Sequence, residues 1–324
     1  MTKTIKLTNL TETFKRYSGW SGADGIYTFR YLDKVLWYFS DTFVGESNRE
    51  TNKRIKYSFI NNSLGVSTQK ITDMDFIYPK DLTTPITPDG EGYYWLQDGV
   101  VIDGFLYIAG LHMINQLLDG LPFSIKGVDL IKYNLKDIGK FSYLVIQNDN
   151  LYKSGYIFGA SIFDNRNEDG FIYVYGYKNV LRDKQLVVSR FKDNLETKAE
   201  YLSSNDEWIG EPLDLKILSH NFAAEFKVVK LKNNYCCAYT KDSIGADIYL
   251  VRMNNLTDEF QDEEKIYSCP EHKFKPNWIA YNAKIQEALS NDNYLIISYS
   301  VNTLVNSEHE DLNVYYPRFI KVEI

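Results

Sequence analysis

The sequence predicts an all-β chain, folded as a five-bladed β-propeller and closed by an N-terminal strand that joins the last blade. Three observations carry that expectation. A polar turn followed by an apolar, aromatic strand recurs five times, helical periodicity is scarce throughout, and the two ends read as strands that could pair.

The five copies run over Leu32–Asp41, Ile102–Gly110, Glu168–Gly176, Lys232–Thr240 and Asn291–Ser300. They recur roughly every 60–70 residues, long for a four-stranded blade but within reach once loops are allowed. Each has a shorter strand before the turn, expected at Gly25–Arg30, Gly99–Ile102, Gly159–Phe163, Phe226–Leu231 and Ala283–Ala288. Each also has a third strand after it, expected at Ile55–Ile60, Val128–Asn134, Leu186–Phe191, Ile248–Met253 and Tyr316–Val322. Segments such as Pro79–Gly90, with three prolines, read as connections. Thr4–Leu10 is expected to supply the outer strand of the last blade, which removes an exposed sheet edge. The 324 residues are read as one domain, 1–324.

Composition narrows the partners. The formal net charge of -7 argues against nucleic acid or an anionic membrane, both of which need a basic face. No apolar run approaches the length of a membrane-spanning helix. The start, Met1–Leu7, lacks the apolar core of a secretory signal, so a cytoplasmic location is expected unless a leader was trimmed. Cys236, Cys237 and Cys269 offer no disulfide framework and no zinc spacing, so neither metal nor organic cofactor is expected. Aromatic residues make up 15% of the chain, which reflects strand propensity and also supplies flat rings for stacking on sugars. An oligo- or polysaccharide is the expected partner, bound by a monomer.

Residues of a hairpin whose numbers sum to a constant face each other. With the first turn at Leu32-Asp33, Asp24 and Asp41 meet at the far end, where directly opposed Cβ atoms are about 4.5–5.5 Å apart. Two carboxylates that close raise one pKa, as a general acid/base or nucleophile pair requires. The same offset puts Trp95 and His112, Lys178, Glu225 and Lys241, and Lys284 and Asn302 at that level, with Asp98 slightly deeper. Each has an ordinary reading as well: Asp24 as a turn residue, Asp41 as a solvated strand end, His112 as a strand cap, Lys178 and Lys284 as surface lysines. Glu225, between Ala223-Ala224 and Phe226, is harder to explain structurally because apolar neighbours rarely bury a lone glutamate.

The stretches Gly19–Tyr27 and Leu36–Gly45 resemble the opening of a bacterial propeller family now grouped as endo-D-arabinanases, glycoside hydrolase family 183. Tyr173–Tyr177, Tyr281–Lys284, Leu295–Asn302 and Tyr316–Ile320 are similar to its later landmarks. The resemblance implies a five-bladed propeller with acidic catalytic positions at Asp24 and Asp41. After Lys284 the chain reads Ile285-Gln-Glu-Ala288 where His-Pro-Glu is usual, so neither a role for Glu287 nor arabinan specificity is carried over.

The expected function is hydrolysis of a furanoside-type or related glycan. Asp24 and Asp41 are the expected acid/base pair and Glu225 assists. Trp95, Asp98, His112, Lys284 and Asn302 are expected to bind substrate, at the same channel end as the carboxylates. The alternative is a carbohydrate-binding propeller without turnover.

Overall fold

The computed structural model describes residues 2–69, 71, 73–117 and 122–324. The chain divides into two compact units. One comprises Met1–Pro85, Ala238–Leu250 and Glu264–Ile324, the other Ile86–Cys237 and Val251–Glu263. Among the described residues the regular elements are strands, apart from one short α-helix and four 3-10 turns. Among them no helix is long and apolar enough to cross a membrane.

The first unit begins with β1 (Thr4–Lys6) and passes at once into α1 (Thr8–Thr13). The expected N-terminal strand is therefore shorter than Thr4–Leu10. Leu7 and Leu10 leave the ladder because they pack on a core of Phe14, Trp20, Trp37, Phe39 and Phe319. Burial of that apolar surface outweighs four more strand residues.

The first repeat comprises β2 (Ser18–Ala23), β3 (Tyr27–Tyr31), β4 (Lys34–Phe39), β5 (Thr42–Asn48), β6 (Lys53–Ile60), β7 (Ser63–Ser67) and β8 (Asp75–Ile77). Its three main strands all break at one level, at residues 24–26, 40–41 and 61–62. Two sheets result, β2-β5-β6 and β3-β4-β7-β8. Gly25 enforces the break. Its φ is +58°, and a Cβ there would lie 2.4 Å from Ser40 Oγ. Register nonetheless survives across it, since Ala23 faces Thr42 and Tyr27 faces Tyr38.

In the second unit β9 (Tyr93–Ile102), β10 (Phe105–Ile114), β11 (Ser124–Asn134) and β12 (Tyr143–Gln147) pair in sequence order. So do β13 (Tyr152–Lys153), β14 (Tyr156–Asp164), β15 (Phe171–Val180), β16 (Asp183–Lys192), β17 (Ala199–Leu202) and β18 (Trp208–Ile209). A further hairpin is formed by β19 (Lys227–Leu231) and β20 (Asn234–Thr240). Alternating apolar residues fill the interior here, among them Phe158, Ile162, Val174, Val188 and Phe226.

After β21 (Ile244–Gly245), β22 (Asp247–Met253) pairs with β23 (Glu264–Ser268). The last sheet of the first unit contains β24 (Trp278–Ile285), β25 (Tyr294–Thr303) and β26 (Arg318–Glu323), in the order β1-β26-β25-β24-β21. Thr4 faces Val322 and Lys6 faces Ile320, so the two ends of the chain pair directly. The strand expected over Ala283–Ala288 stops at Ile285, because Glu287–Leu289 form a 3-10 turn.

An irregularity recurs in the hairpins. Register slips between Trp20 and Gly22, between Ile108 and Gly110, between Phe158 and Ser161, and between Tyr281 and Lys284. Bulges of this kind re-aim side chains, and here they flank the residues singled out from the sequence.

Candidate functional site

Asp24 and Asp41 lie at the level where the first repeat breaks. The Asp24 amide donates to the Asp41 carbonyl at 3.2 Å, and the Ser40 amide donates to the Asp24 carbonyl at 2.9 Å. Both residues are half-buried. The break takes both residues out of the regular strands. Tyr281 donates its hydroxyl to Asp24 Oδ2 at 2.6 Å, and the Asn61 amide donates to Asp41 Oδ1 at 3.2 Å. Tyr281 donates from β24 and Asn61 from the gap between β6 and β7.

Tyr281 and Tyr315 were not among the residues expected from the sequence. Burial and the nearby Asp24 push the Tyr281 phenol well above its usual range, so it stays protonated and remains a donor. The Tyr315 phenol is raised by burial and by the charges of both Asp24 and Asp41, and it hydrogen-bonds with the Asn302 side chain. Tyr315 has φ +61°, a strained value for a bulky residue. Arg54 holds it there. The guanidinium, only 2% exposed, donates to the carbonyls of His309, Asp311 and Val314, and to the carbonyl and hydroxyl of Ser21. Burial lowers its pKa to about 10, still charged at neutral pH. Adjacent signals existed in the sequence: Tyr281 opens one of the landmark stretches, and Gly22 sits in another. A Cβ on Gly22 would lie 2.1 Å from the Tyr315 carbonyl oxygen.

Asn302 belongs to this neighbourhood, its Oδ1 accepting from His309 Nε2 at 3.1 Å. Lys284 is placed otherwise than expected. It faces Ser298 rather than Asn302, which faces Ile279. The 3-10 turn moves the hairpin centre and the bulge adds a further slip. Nor is Lys284 a surface lysine: it is 0% exposed, with its ammonium 3.8 Å from the centroid of the Tyr27 ring. Burial over an aromatic face stabilises the cation by attraction to the ring quadrupole.

The remaining expected residues fall in the second unit. Trp95 faces Leu111, and His112 faces Tyr94, one residue away from the register the turn alone implies. The bulge at Ile108/Gly110 accounts for the shift. His112 is buried, with Nδ1 3.2 Å from Asp129 Oδ2 and Nε2 2.9 Å from the Glu91 carbonyl. Asp98 is fully buried. Its carboxylate accepts from the Lys227 ammonium at 2.9 and 3.1 Å, from the Ile162 amide at 2.6 Å and from the Gly99 amide at 2.8 Å. Burial raises its pKa, and Lys227 pulls it back. Those contacts tie three hairpins together and leave the carboxylate turned away from solvent.

Trp95 and Glu225 are brought together. Both line a cavity of about 440 Å³ with Gln97, Tyr152, Tyr177 and Lys184. Burial and the Glu225 charge raise the Tyr177 phenol, and burial lowers Lys184, whose ammonium lies 4.4 Å from the Tyr177 ring centroid. Lys178 is half-buried against the Tyr156 ring, and Lys241 rests over Tyr249. Among the described residues no group of three or more His, Cys, Asp or Glu is placed to hold a metal ion.

Known structures share this fold. A candidate hydrolase from Bacteroides ovatus superposes with a TM-score of 0.78 at 20% identity, over 98% of this chain and 90% of its own. A GH62 α-L-arabinofuranosidase domain from Coprinopsis cinerea gives 0.52 at 9% identity, over 95% and 96%. The GH32 β-fructofuranosidase of Bombyx mori gives 0.56 at 11% identity, over 95% of this chain but only 62% of its own. At these identities the likeness defines the fold alone: an all-β fold of the kind found in propeller-type glycoside hydrolases. The chain itself belongs to the family described as domain of unknown function DUF5005, which matches residues 8–323. No curated protein matches it.

Proposed function

We propose that this protein is a glycoside hydrolase acting on a furanoside-type or related glycan, with Asp24 and Asp41 as the acid/base pair. The observation that carries this reading is the convergence of the two carboxylates at a strand break, each held by a separate neutral donor, Tyr281 or Asn61. Such a pair can share protonation work: one carboxyl protonates the leaving oxygen while the other acts on the opposite side of the sugar. Tyr281 and Asn61, two uncharged donors, help to orient the carboxylates. The fold shared with arabinofuranosidases and fructofuranosidases supports the furanoside class.

In the same reading the chain is one domain, a five-bladed propeller closed where β1 pairs with β26, and residues 18–77 make up the first blade. The five-fold recurrence and the family match across residues 8–323 support it. Asn302 takes part in binding substrate beside the carboxylates, whereas Asp98, His112 and Lys284 support the fold.

The test is digestion of a panel containing arabinan, arabinoxylan and levan, read by product mass. Asp24→Asn and Asp41→Asn should each lower turnover roughly 10²–10⁴-fold while leaving the fold and glycan binding in place. Undiminished cleavage by either variant would make the pair structural. Binding without cleavage by the parent protein would favour the carbohydrate-binding alternative.

A further inference from the structure

β6 bears two exposed aromatic side chains on one face. Tyr57 is 40% exposed and Phe59 47% exposed, two residues apart in the same strand. Residues so spaced project from one side of a strand, about 6.4–6.8 Å apart. Exposed rings of this size on a strand are a liability for solubility unless they meet something. They are also held in place. The buried Phe43 ring packs edge-on against Tyr57 at 5.3 Å, against Phe59 at 5.0 Å and against Tyr315 at 5.0 Å. Phe59 in turn lies 6.3 Å from Tyr315. Arg54 sits 4.5 Å from the Phe43 centroid and fixes the base of the cluster.

The row leads to the carboxylates by two routes. Phe59 precedes by two residues Asn61, whose amide holds Asp41. Tyr315, against which Phe59 packs, feels the charges of both Asp24 and Asp41. We propose that Tyr57 and Phe59 form a stacking platform for sugar units beyond the one cleaved, so that the substrate is an oligosaccharide chain laid along β6. A preformed pair of rings offers flat apolar area at low entropic loss, which suits the apolar faces of successive sugars. Continuity with the carboxylates distinguishes this occupant from a second copy of the chain, which would have no reason to end at Asn61. The inference rests on the proposed hydrolase reading and adds the length of chain it recognises.

The test separates the two. Binding is measured with Asp24→Asn as the parent, so that turnover plays no part, on two oligosaccharide ladders of two to six units, α-1,5-arabinan and β-1,4-xylan. Affinity should rise with length on at least one ladder. Tyr57→Ala and Phe59→Ala should each remove roughly tenfold from the affinity for the longest member and leave the disaccharide nearly unchanged. Phe59→Tyr should restore it. Both rings pack on Phe43, so a circular-dichroism melt verifies that each variant is still folded at the assay temperature. Affinity that is flat with length, or that rises equally in both alanine variants, overturns the platform while leaving the hydrolase reading intact. Failure of every ladder, together with no cleavage by the wild-type protein, overturns both. Concentration-dependent dimerisation abolished by Phe59→Ala, with no glycan bound, would make the row an interface between copies and end the proposal.

Discussion

At the scale of single residues, Tyr281 is the side chain whose removal is most informative. Its hydroxyl donates to Asp24 at 2.6 Å, within the range of a charge-assisted bond. Hydrogen bonds to charged groups contribute about 1.5–3 kcal/mol. Tyr281→Phe keeps the ring and loses only that donor, so turnover should fall about 10- to 100-fold with the melting temperature nearly unchanged. Equal kcat for the variant and the parent would show that Asp24 needs no orienting donor. His309 yields a prediction in pH. Burial lowers its pKa below the usual 6.5, with Arg54 adding to the shift. The unfolded chain therefore binds this proton more readily than the folded one. Stability is present above about pH 6.5 and is lost as pH falls toward the depressed folded value. Urea midpoints measured from pH 7.5 to 5 should decline more steeply for the parent than for His309→Gln.

At the scale of elements, the decisive feature is the break shared by the strands of the first repeat. Gly25 permits the turn on the first strand, and Gly22, three residues earlier on that strand, lets the segment bearing Tyr315 approach. Gly22 has φ +148°, where a side chain is strained whatever the space, and its Cβ would strike the Tyr315 carbonyl. Strain of that kind costs about 1–3 kcal/mol. Gly22→Ala should lower the unfolding free energy by at least that amount and reduce activity beyond the effect on stability, because Tyr315 must move. Activity retained in full by a stably folded Gly22→Ala protein would show that Tyr315 is a bystander. The bulges act at the same scale. Each adds one or two residues to a strand, so a register counted from the turn is right up to the bulge and wrong beyond it. That is why Asp24 and Asp41 were legible from the sequence, whereas Trp95 and His112 were placed one residue off; Lys284 falls four residues off Asn302 because the 3-10 turn at Glu287–Leu289 moves the centre of its hairpin.

At the scale of the whole molecule, buried charge links hairpins that are far apart in sequence. The Lys227–Asp98 pair joins residues 129 positions apart and is closed by the amide of Ile162. Removing one partner of such a pair leaves an uncompensated buried charge, at about 3–5 kcal/mol. Lys227→Met should therefore lower the urea unfolding free energy by about that much, and adding Asp98→Asn should recover part of it. A single variant as stable as the parent would mean that Asp98 takes up a proton without consequence.

The amino-acid sequence by itself determined the all-β class, the five recurring hairpins, the pairing of the two chain ends and the meeting of Asp24 with Asp41. These follow from local alternation, turn chemistry and short-range register, which depend on residues a few positions apart. Tertiary structure alone decided that Tyr281 and Tyr315 stand beside the carboxylates, that Lys284 and Asp98 are buried, and that Arg54 ties Ser21 to the segment carrying Tyr315. Those contacts join positions up to 260 residues apart. Nothing in local periodicity encodes which distant side chain will fill a given space; packing density and the need to satisfy every buried charge choose it only once the hairpins have come together.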